Sequence, residues 1–184
     1  MPAITLRLAT DADIPAIREL MARAIGELQR DFLSAAEIIA SQAVMGLDTQ
    51  LIADRSYFLA EINGALAGCG GWSARATLYG GDHSSGLRDA RRLDPASEPA
   101  RIRAMFTDPA FTRRGVGRAI LAACEEAATA AGFRSAEMMA TLAGEPLYCA
   151  CGYRVIERVE AAPVDGVAVP LVRMAKGLAP QPGD

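Results

Sequence analysis

Hydrophobic and polar residues recur with two different periods at the start of the chain, and these periods predict one strand followed by two helices. Residues 4–8 alternate apolar and polar side chains, which is the period-two pattern of a half-buried strand. Residues 14–28 place apolar side chains every three or four positions, as on one face of a helix. A second helix is predicted to begin after Ser34, because Glu37 stands in the capping-box position, and to end at Gly46.

The next part of the chain predicts a hairpin and then a long loop. Two strand patterns, over 56–62 and 65–72, flank Asn63-Gly64, a dipeptide typical of a two-residue hairpin turn. Residues 74–99 show no sustained periodicity, and a loop of that length within a compact domain is usually functional or disordered. We therefore expect an insertion that covers or flanks a binding site, with a mobile surface excursion as the alternative.

The centre of the chain, residues 101–131, predicts a strand, a short loop and a helix. Apolar and polar residues alternate over 101–107, and this strand should end before Pro109, because proline has no N–H for a strand ladder. Apolar residues recur at every fourth position from Val116 onward, which predicts a helix that stops at Gly132.

The remaining patterns complete the predicted order β-α-α-β-β-loop-β-α-β-α-β-β. They are a strand over 136–140, a short helix over 144–151 that Gly152 ends, and two last strands over 153–159 and 164–174.

Composition and charge restrict the class of protein. The 184 residues are 51% hydrophobic and 22% charged, which fits one globular domain; we predict that it spans 1–176 and leaves a flexible tail over 177–184. The net charge of −3 gives no overall basic excess for binding nucleic acid. No apolar run approaches the roughly 20 residues of a membrane span, so we expect no membrane partner.

The N-terminus and the cysteines predict a cytoplasmic protein without a metal site. The first residues lack the charged-then-apolar layout of a signal peptide, so the four cysteines are expected to be reduced thiols. The spacing of Cys149 and Cys151 does not match the usual zinc pairs, and His83 is the one histidine of the chain.

The start of the central helix carries the candidate chemistry. Two glycines, Gly115 and Gly117, stand among three arginines, Arg113, Arg114 and Arg118. The first N–H groups of a helix have no intrahelical partner, and the helix dipole makes that end positive. Glycine lets an anion approach the backbone, and arginine pairs with phosphate. This junction is therefore predicted to bind a pyrophosphate.

Several readings of this junction compete. A Rossmann fingerprint needs a third glycine or alanine three residues after Gly117, where Ile120 stands, and a P-loop needs a Gly-Lys-Ser/Thr ending that is absent. An ordinary helix start with glycines in a turn would also fit so short a pattern. The stretch resembles motif A of the GNAT superfamily of acyl-CoA N-acyltransferases, Gln/Arg-x-x-Gly-x-Gly/Ala, with Thr112, Gly115 and Gly117 at its fixed positions.

A second segment strengthens the resemblance. Residues 148–153 are similar to the Tyr-x-x-x-Gly-Phe/Tyr segment of the same family, and the predicted element order is that of the GNAT fold. The resemblance implies an α/β (α+β) fold with a central mixed, twisted sheet of six to seven strands. About four helices would flank that sheet, which would be splayed between its fourth and fifth strands.

The resemblance also implies a function. Such enzymes move an acetyl group from acetyl-CoA to an amine of a small molecule or peptide by direct attack in a ternary complex. The implied cofactor-binding positions are Met105, Thr107, Thr112, Arg113, Arg114, Gly115, Val116, Gly117 and Arg118. A catalytically silent acyl-CoA sensor or scaffold is the alternative, because Thr112 and Thr141 replace two residues usual in the family. A homodimer is common in the family.

Tyr148 is the implied general acid, because in the family this tyrosine faces the cofactor sulfur. A phenol with a pKa of about 10 stays protonated at neutral pH and can donate its proton to a departing thiolate. The base is not visible from the sequence. Its candidates are Glu61, Asp82, His83 and Glu98, of which Glu98 immediately precedes the cofactor strand and enters the predicted catalytic pair with Tyr148.

Overall fold

The computed structural model describes residues 3–178, which form one seven-stranded sheet with helices on both faces. The strands and helices are, in chain order, β1 (Ile4–Leu8), α1 (Ile14–Leu28), α2 (Ala35–Val44), α3 (Thr49–Ala53), β2 (Tyr57–Ile62), β3 (Ala65–Ser73), β4 (Ala100–Thr107), α4 (Val116–Ala130), β5 (Ser135–Thr141), α5 (Glu145–Ala150), β6 (Arg154–Glu160) and β7 (Pro170–Gly177). Short 3-10 turns precede α1 and follow β4, and a third lies in the long loop.

The predicted elements are present, with two differences. The capping box of α2 is confirmed, since Ser34 accepts the Glu37 N–H at 3.2 Å and the Glu37 carboxylate accepts the Ser34 N–H at 2.7 Å. The sequence gave no signal for α3, because a five-residue helix is too short to show a period. The last strand begins at Pro170 rather than at 164, because Asp165 and Gly166 form a turn with positive φ.

The sheet has the strand order β1-β2-β3-β4-β5-β7-β6, and its pairs are antiparallel except β4 with β5. That parallel pair is joined only at Ala100 with Ala136 and Arg101 with Glu137, after which the two strands separate. The predicted splay between the fourth and fifth strands is therefore confirmed. Because parallel strands that separate leave backbone groups without a ladder, this is where an extended ligand can enter the sheet.

A bulge in β4 lies beside the opening. The pairing with β3 passes from Phe106 opposite Cys69 to Arg103 opposite Gly71, so two residues of β4 face one residue of β3. Ala104 has a φ of 49°, and its carbonyl accepts a 2.7 Å hydrogen bond from the hydroxyl of the fully buried Tyr57. The hydrogen bond holds the bulge in one conformation.

The glycines of β3 allow close packing on this strand. A Cβ on Gly68 would lie 2.5 Å from Cγ1 of Val116, at the start of α4, and one on Gly70 would collide with the Sδ of Met105. Glycine usually weakens a strand, but here it lets α4 and the Met105 side chain lie directly on the sheet.

The long loop over 74–99 is held against the sheet. The buried Arg103 guanidinium donates to the carbonyls of Thr77 at 3.2 Å and Gly80 at 2.9 Å. It also pairs at 3.1 Å with Asp48, the N-cap of α3. These contacts place residues 78–80 beside β4, as the prediction of a loop flanking a site requires.

The last described residues belong to β7 and to the segment that follows it. Gly177 completes β7, and Leu178 donates its N–H to the Arg134 carbonyl at 2.8 Å. The rest of the predicted tail over 177–184 lies outside the described residues. Within residues 3–178, no helix combines the length and apolar character needed to cross a membrane.

Candidate active site

A cleft opens where β4 and β5 separate. Residues 102–106 and 138–141 form its two sides, and Tyr148 of α5 closes one part of it. The outer wall comes from residues 44–46 at the end of α2 and residues 78–80 of the long loop. The cleft thus has a channel between two strands and a separate mouth built by connecting segments.

The bulge directs one backbone group of the channel. A trans peptide holds its C=O and N–H in opposite directions, so the Met105 N–H points away from Tyr57, which binds the Ala104 carbonyl. Neither Ala104 nor Met105 has a pairing residue on β3 or β5. Met105, predicted as a cofactor contact, lines the cleft.

Tyr148 belongs to the same cleft. The side chain is 7% exposed, lines the cleft and packs edge-on against Tyr153, with 6.2 Å between ring centroids. Burial raises the pKa of Tyr148, and nothing in the described part of the chain hydrogen-bonds to its hydroxyl. A phenol kept protonated and free of an internal acceptor can donate a proton to a ligand.

The start of α4 has the backbone geometry of an anion site. Arg113 has a φ of 62° and Gly115, the residue before the helix, a φ of 83°. Left-handed residues that alternate with others turn successive N–H groups inward, which makes an anion-binding concavity. The N–H groups of residues 116–118 are the first of α4 and have no acceptor within the helix. No side chain could replace hydrogen at Gly117 without meeting Leu147, whose Cδ2 lies 2.7 Å from the ideal Cβ position.

The polar side chains around this turn complete the predicted cofactor set. Arg113, Arg114 and Arg118 are exposed, and the Arg114 guanidinium lies 5.3 Å from the ring centroid of Phe111. Thr112 donates its hydroxyl to the Pro109 carbonyl at 3.3 Å. The predicted contacts therefore fall in two groups, one along β4 and one around the α4 start.

Two threonines bound the path between these groups. Thr107, the last residue of β4, has its hydroxyl oxygen 3.7 Å from the position that a Cβ of Gly117 would take. Thr141 lines the cleft, and its hydroxyl accepts the Gly144 N–H at 3.0 Å, so the hydroxyl hydrogen is free to meet another acceptor.

Comparison with known proteins decides the family. A family model described as the acetyltransferase (GNAT) family matches residues 22–153 of this chain. The chain belongs to the GNAT acetyltransferase family. The family and fold predicted from the sequence are confirmed, and so are the acyltransferase class and acetyl-CoA as co-substrate.

Solved structures share the fold of this GNAT protein over nearly its whole length. A GCN5-related N-acetyltransferase from Rhodopseudomonas palustris is 18% identical, with a TM-score of 0.67 over 97% of this chain and 96% of that one. YncA from Salmonella typhimurium, solved with acetyl-CoA, is 18% identical, with a TM-score of 0.64 over 99% and 98%. PaiA N-acetyltransferase from Thermoplasma acidophilum, solved with coenzyme A, is 14% identical, with a TM-score of 0.59 over 95% and 99%. A search of curated proteins gives no match.

Glu98 is not brought to the cleft of this GNAT protein. It lies before β4, at the end of the strand opposite Thr107, and its carboxylate accepts hydrogen bonds from Arg91 at 2.8 and 3.0 Å and from the Asp94 N–H at 2.8 Å. The Arg91 guanidinium lowers the pKa of Glu98 to about 2. A carboxylate with so low a pKa is a weak base, and the hydrogen bonds of Glu98 stabilise the loop before β4.

The other base candidates also lie outside the cleft lining. Glu61 accepts from Arg7 at 2.8 Å on β2, and Asp82 accepts the Thr49 N–H at 3.0 Å. His83 is exposed, with its Cε1 2.7 Å from the position that a Cβ of Gly46 would take. His83 is thus nearest to the mouth, on the outer side of a lining residue.

Sequence reasoning missed the residue that organises the mouth, Arg103. The alternating pattern of β4 predicts that Arg103 faces solvent, but its side chain is only 2% exposed. It is the only charged residue of the cleft lining within residues 3–178, where no aspartate, glutamate, histidine or lysine takes part. No local signal could have found this, since its partners Asp48, Thr77 and Gly80 are distant in sequence.

Proposed function

We propose that this GNAT protein transfers the acetyl group of acetyl-CoA to a primary amine by direct attack within a ternary complex. The observation that carries the proposal is a cleft that holds both a directed backbone N–H and a protonated tyrosine, beside the strand that leads to the start of α4. Pantetheine would lie between β4 and β5 beside Met105. The pyrophosphate would bind the N–H groups of 116–118, with Arg113, Arg114 and Arg118 adding charge.

The chemical step follows from these positions. The amine nitrogen forms a bond to the thioester carbon, and the carbonyl oxygen gains negative charge that the Met105 N–H stabilises. The carbon–sulfur bond then breaks, and the coenzyme A thiolate takes a proton from Tyr148. The nitrogen loses one proton to water and the Tyr148 phenolate takes one proton back from water, so the enzyme is restored, and the products are an N-acetyl compound and coenzyme A. Glu98 has no part in this scheme.

The Tyr148→Phe variant tests the proposal. It removes the proton donor but keeps the ring, so we expect kcat to fall by about 10²-fold or more while the Kd for acetyl-CoA changes less than about threefold. Tyr153→Phe is the matched control, because the Tyr153 hydroxyl is buried without a hydrogen-bond partner among residues 3–178 and does not line the cleft. Its kcat should stay near that of the wild type.

Acetyl-CoA affinity separates transfer from a sensor role. Titration calorimetry of Arg114→Glu should show weaker binding, because the change places a negative charge at the pyrophosphate position. Arg18→Glu, a charge reversal at another exposed arginine, on α1, is its control. Binding of acetyl-CoA without transfer to any tested amine would favour the silent acyl-CoA sensor instead.

A further inference from the structure

The mouth of the cleft is apolar. Besides Gly46 and Gly80, its wall consists of Val44, Met45, Leu78, Tyr79, Met139 and Leu171. Five of these belong to or pack against one apolar cluster between α2, β7 and the turn after β6, and Leu78 is half-buried beside them. A ligand group that fills this mouth replaces water with hydrocarbon and is therefore itself expected to be apolar.

Within residues 3–178, no carboxylate lines this mouth. Asp48 and Glu137 are buried carboxylates on the elements that build the cleft. Asp48 is held by Arg88 and Arg103, each at 3.1 Å, and Glu137 is held in the same way by two other arginines, Arg101 and Arg173.

Arg103 is the charged residue of this lining, and its charge is already paired with Asp48. An ammonium group that enters would lose water and find no unpaired carboxylate among the lining residues that the structure describes. The free energy of such a site disfavours the charged form of an amine.

We propose that the acceptor is an α-amine beside a carbonyl carbon, carrying an apolar side chain and no second positive charge. This inference rests on the proposed acetyl transfer. Amines of this class occur in amino-acid amides and at peptide N-termini. The apolar side chain would occupy the space between Leu78, Met139 and Leu171, and the amine would face the Met105 side of the channel.

The pKa of the acceptor explains how a cleft without a base can work. An α-amine with a pKa of about 7.7–8.0 is about one-third neutral at pH 7.5, whereas a lysine amine with a pKa of about 10.4 is neutral in about one molecule in 800. The neutral, reactive fractions of the two amines therefore differ by about 250-fold. The more basic amine is the stronger nucleophile, which offsets part of this difference. A polyamine or a lysine side chain would also place a second charge in the apolar mouth.

A matched set of acceptors tests the proposal with the wild-type protein and acetyl-CoA. The set contains leucinamide, glycinamide, isopentylamine and Nα-acetyl-lysine methylamide, with product measured by mass spectrometry. We expect kcat/KM for leucinamide to exceed that for isopentylamine and the lysine compound by about tenfold or more, because of the neutral fraction. Leucinamide should also exceed glycinamide by about tenfold, because of its buried side chain.

The other outcomes are equally informative. Equal or better use of the lysine compound or isopentylamine would overturn the inference and leave acetyl transfer standing. Equal use of glycinamide would overturn the apolar side-chain requirement. The tripeptide Leu-Ala-Ala-amide separates the sources, because preference for it over leucinamide supports a peptide N-terminus and the reverse supports a small molecule. Acetyl-CoA binding with no product from any amine would overturn the proposed function itself.

A carboxylate placed in the mouth should change the preference. In Leu78→Glu the new charge supplies a counter-ion, so the ratio of leucinamide to isopentylamine use should fall by about fivefold or more. Leu87→Glu is the control, because Leu87 lies in the same loop, is 37% exposed and does not line the cleft. An unchanged ratio in a folded Leu78→Glu protein that still binds acetyl-CoA would contradict the inference.

Discussion

Replacing Asp48 with asparagine should strongly destabilise the wall of the active-site cleft. The Asp48 side chain is 5% exposed and pairs at 3.1 Å with Arg103, whose own side chain is 2% exposed. Arg103 in turn holds the carbonyl of Gly80 in the loop at 2.9 Å. Asparagine keeps the shape of the side chain but removes its charge, so the change leaves the Arg103 guanidinium buried without a counter-ion.

The size of the effect follows from burial. Removing one partner of a buried ion pair costs about 3–5 kcal/mol, because the remaining charge stays desolvated. The asparagine oxygen can still accept the Gln50 N–H, now 3.0 Å from Asp48, and Arg88 is 36% exposed and can turn to water. We therefore expect a loss near the lower limit, about 3 kcal/mol of unfolding free energy.

Urea unfolding followed by circular dichroism measures this loss, with free energies from linear extrapolation. Asp13→Asn is the control, because its partner Arg7 is 42% exposed and such a pair contributes about 0.2–1 kcal/mol. Adding Arg103→Met to Asp48→Asn removes the stranded charge and should recover part of the loss. A loss below about 1 kcal/mol for Asp48→Asn, no larger than the control, would refute the reasoning.

Two further predictions concern pH and thiol chemistry. The Arg75 guanidinium lowers the pKa of Asp54. The pair therefore stabilises the fold above the unfolded-state pKa of about 3.9, and this contribution is lost as pH falls through the lower pKa of the folded state. The melting temperature should drop below about pH 4, and it should drop less in Asp54→Asn. Burial raises the pKa of Cys69 to about 12 and raises that of Cys124 as well, whereas Cys149 is exposed. A thiol reagent at pH 8 should label Cys149 in the native protein and the two buried thiols only after unfolding, and equal native labelling at all three would contradict the burial argument.

Local signals account for the parts of the structure that were correctly predicted. The Ser34 and Glu37 pair marks a helix start because its hydrogen bonds join residues three apart. Gly115 marks the start of α4 because its φ of 83° suits glycine. Tyr148 was named from the fixed spacing of its segment, and its catalytic role stays a prediction. The failure of Glu98 to reach the cleft has a different origin. Its proximity to β4 in sequence gave no information about the end of the strand at which the cleft opens.

The sequence by itself determined the order of elements apart from α3, the glycine and arginine turn at the helix start, and the family. Each of these depends on residues within about one turn or one strand of each other. Only the tertiary structure decided which charges face the cleft. Arg103 was converted from an apparent surface residue to a buried one by partners 23, 26 and 55 positions away. Contacts of that span depend on the packing of the loop against the sheet, and periodicity does not encode them. The apolar character of the mouth, on which the proposed class of acceptor rests, is therefore a property of the fold.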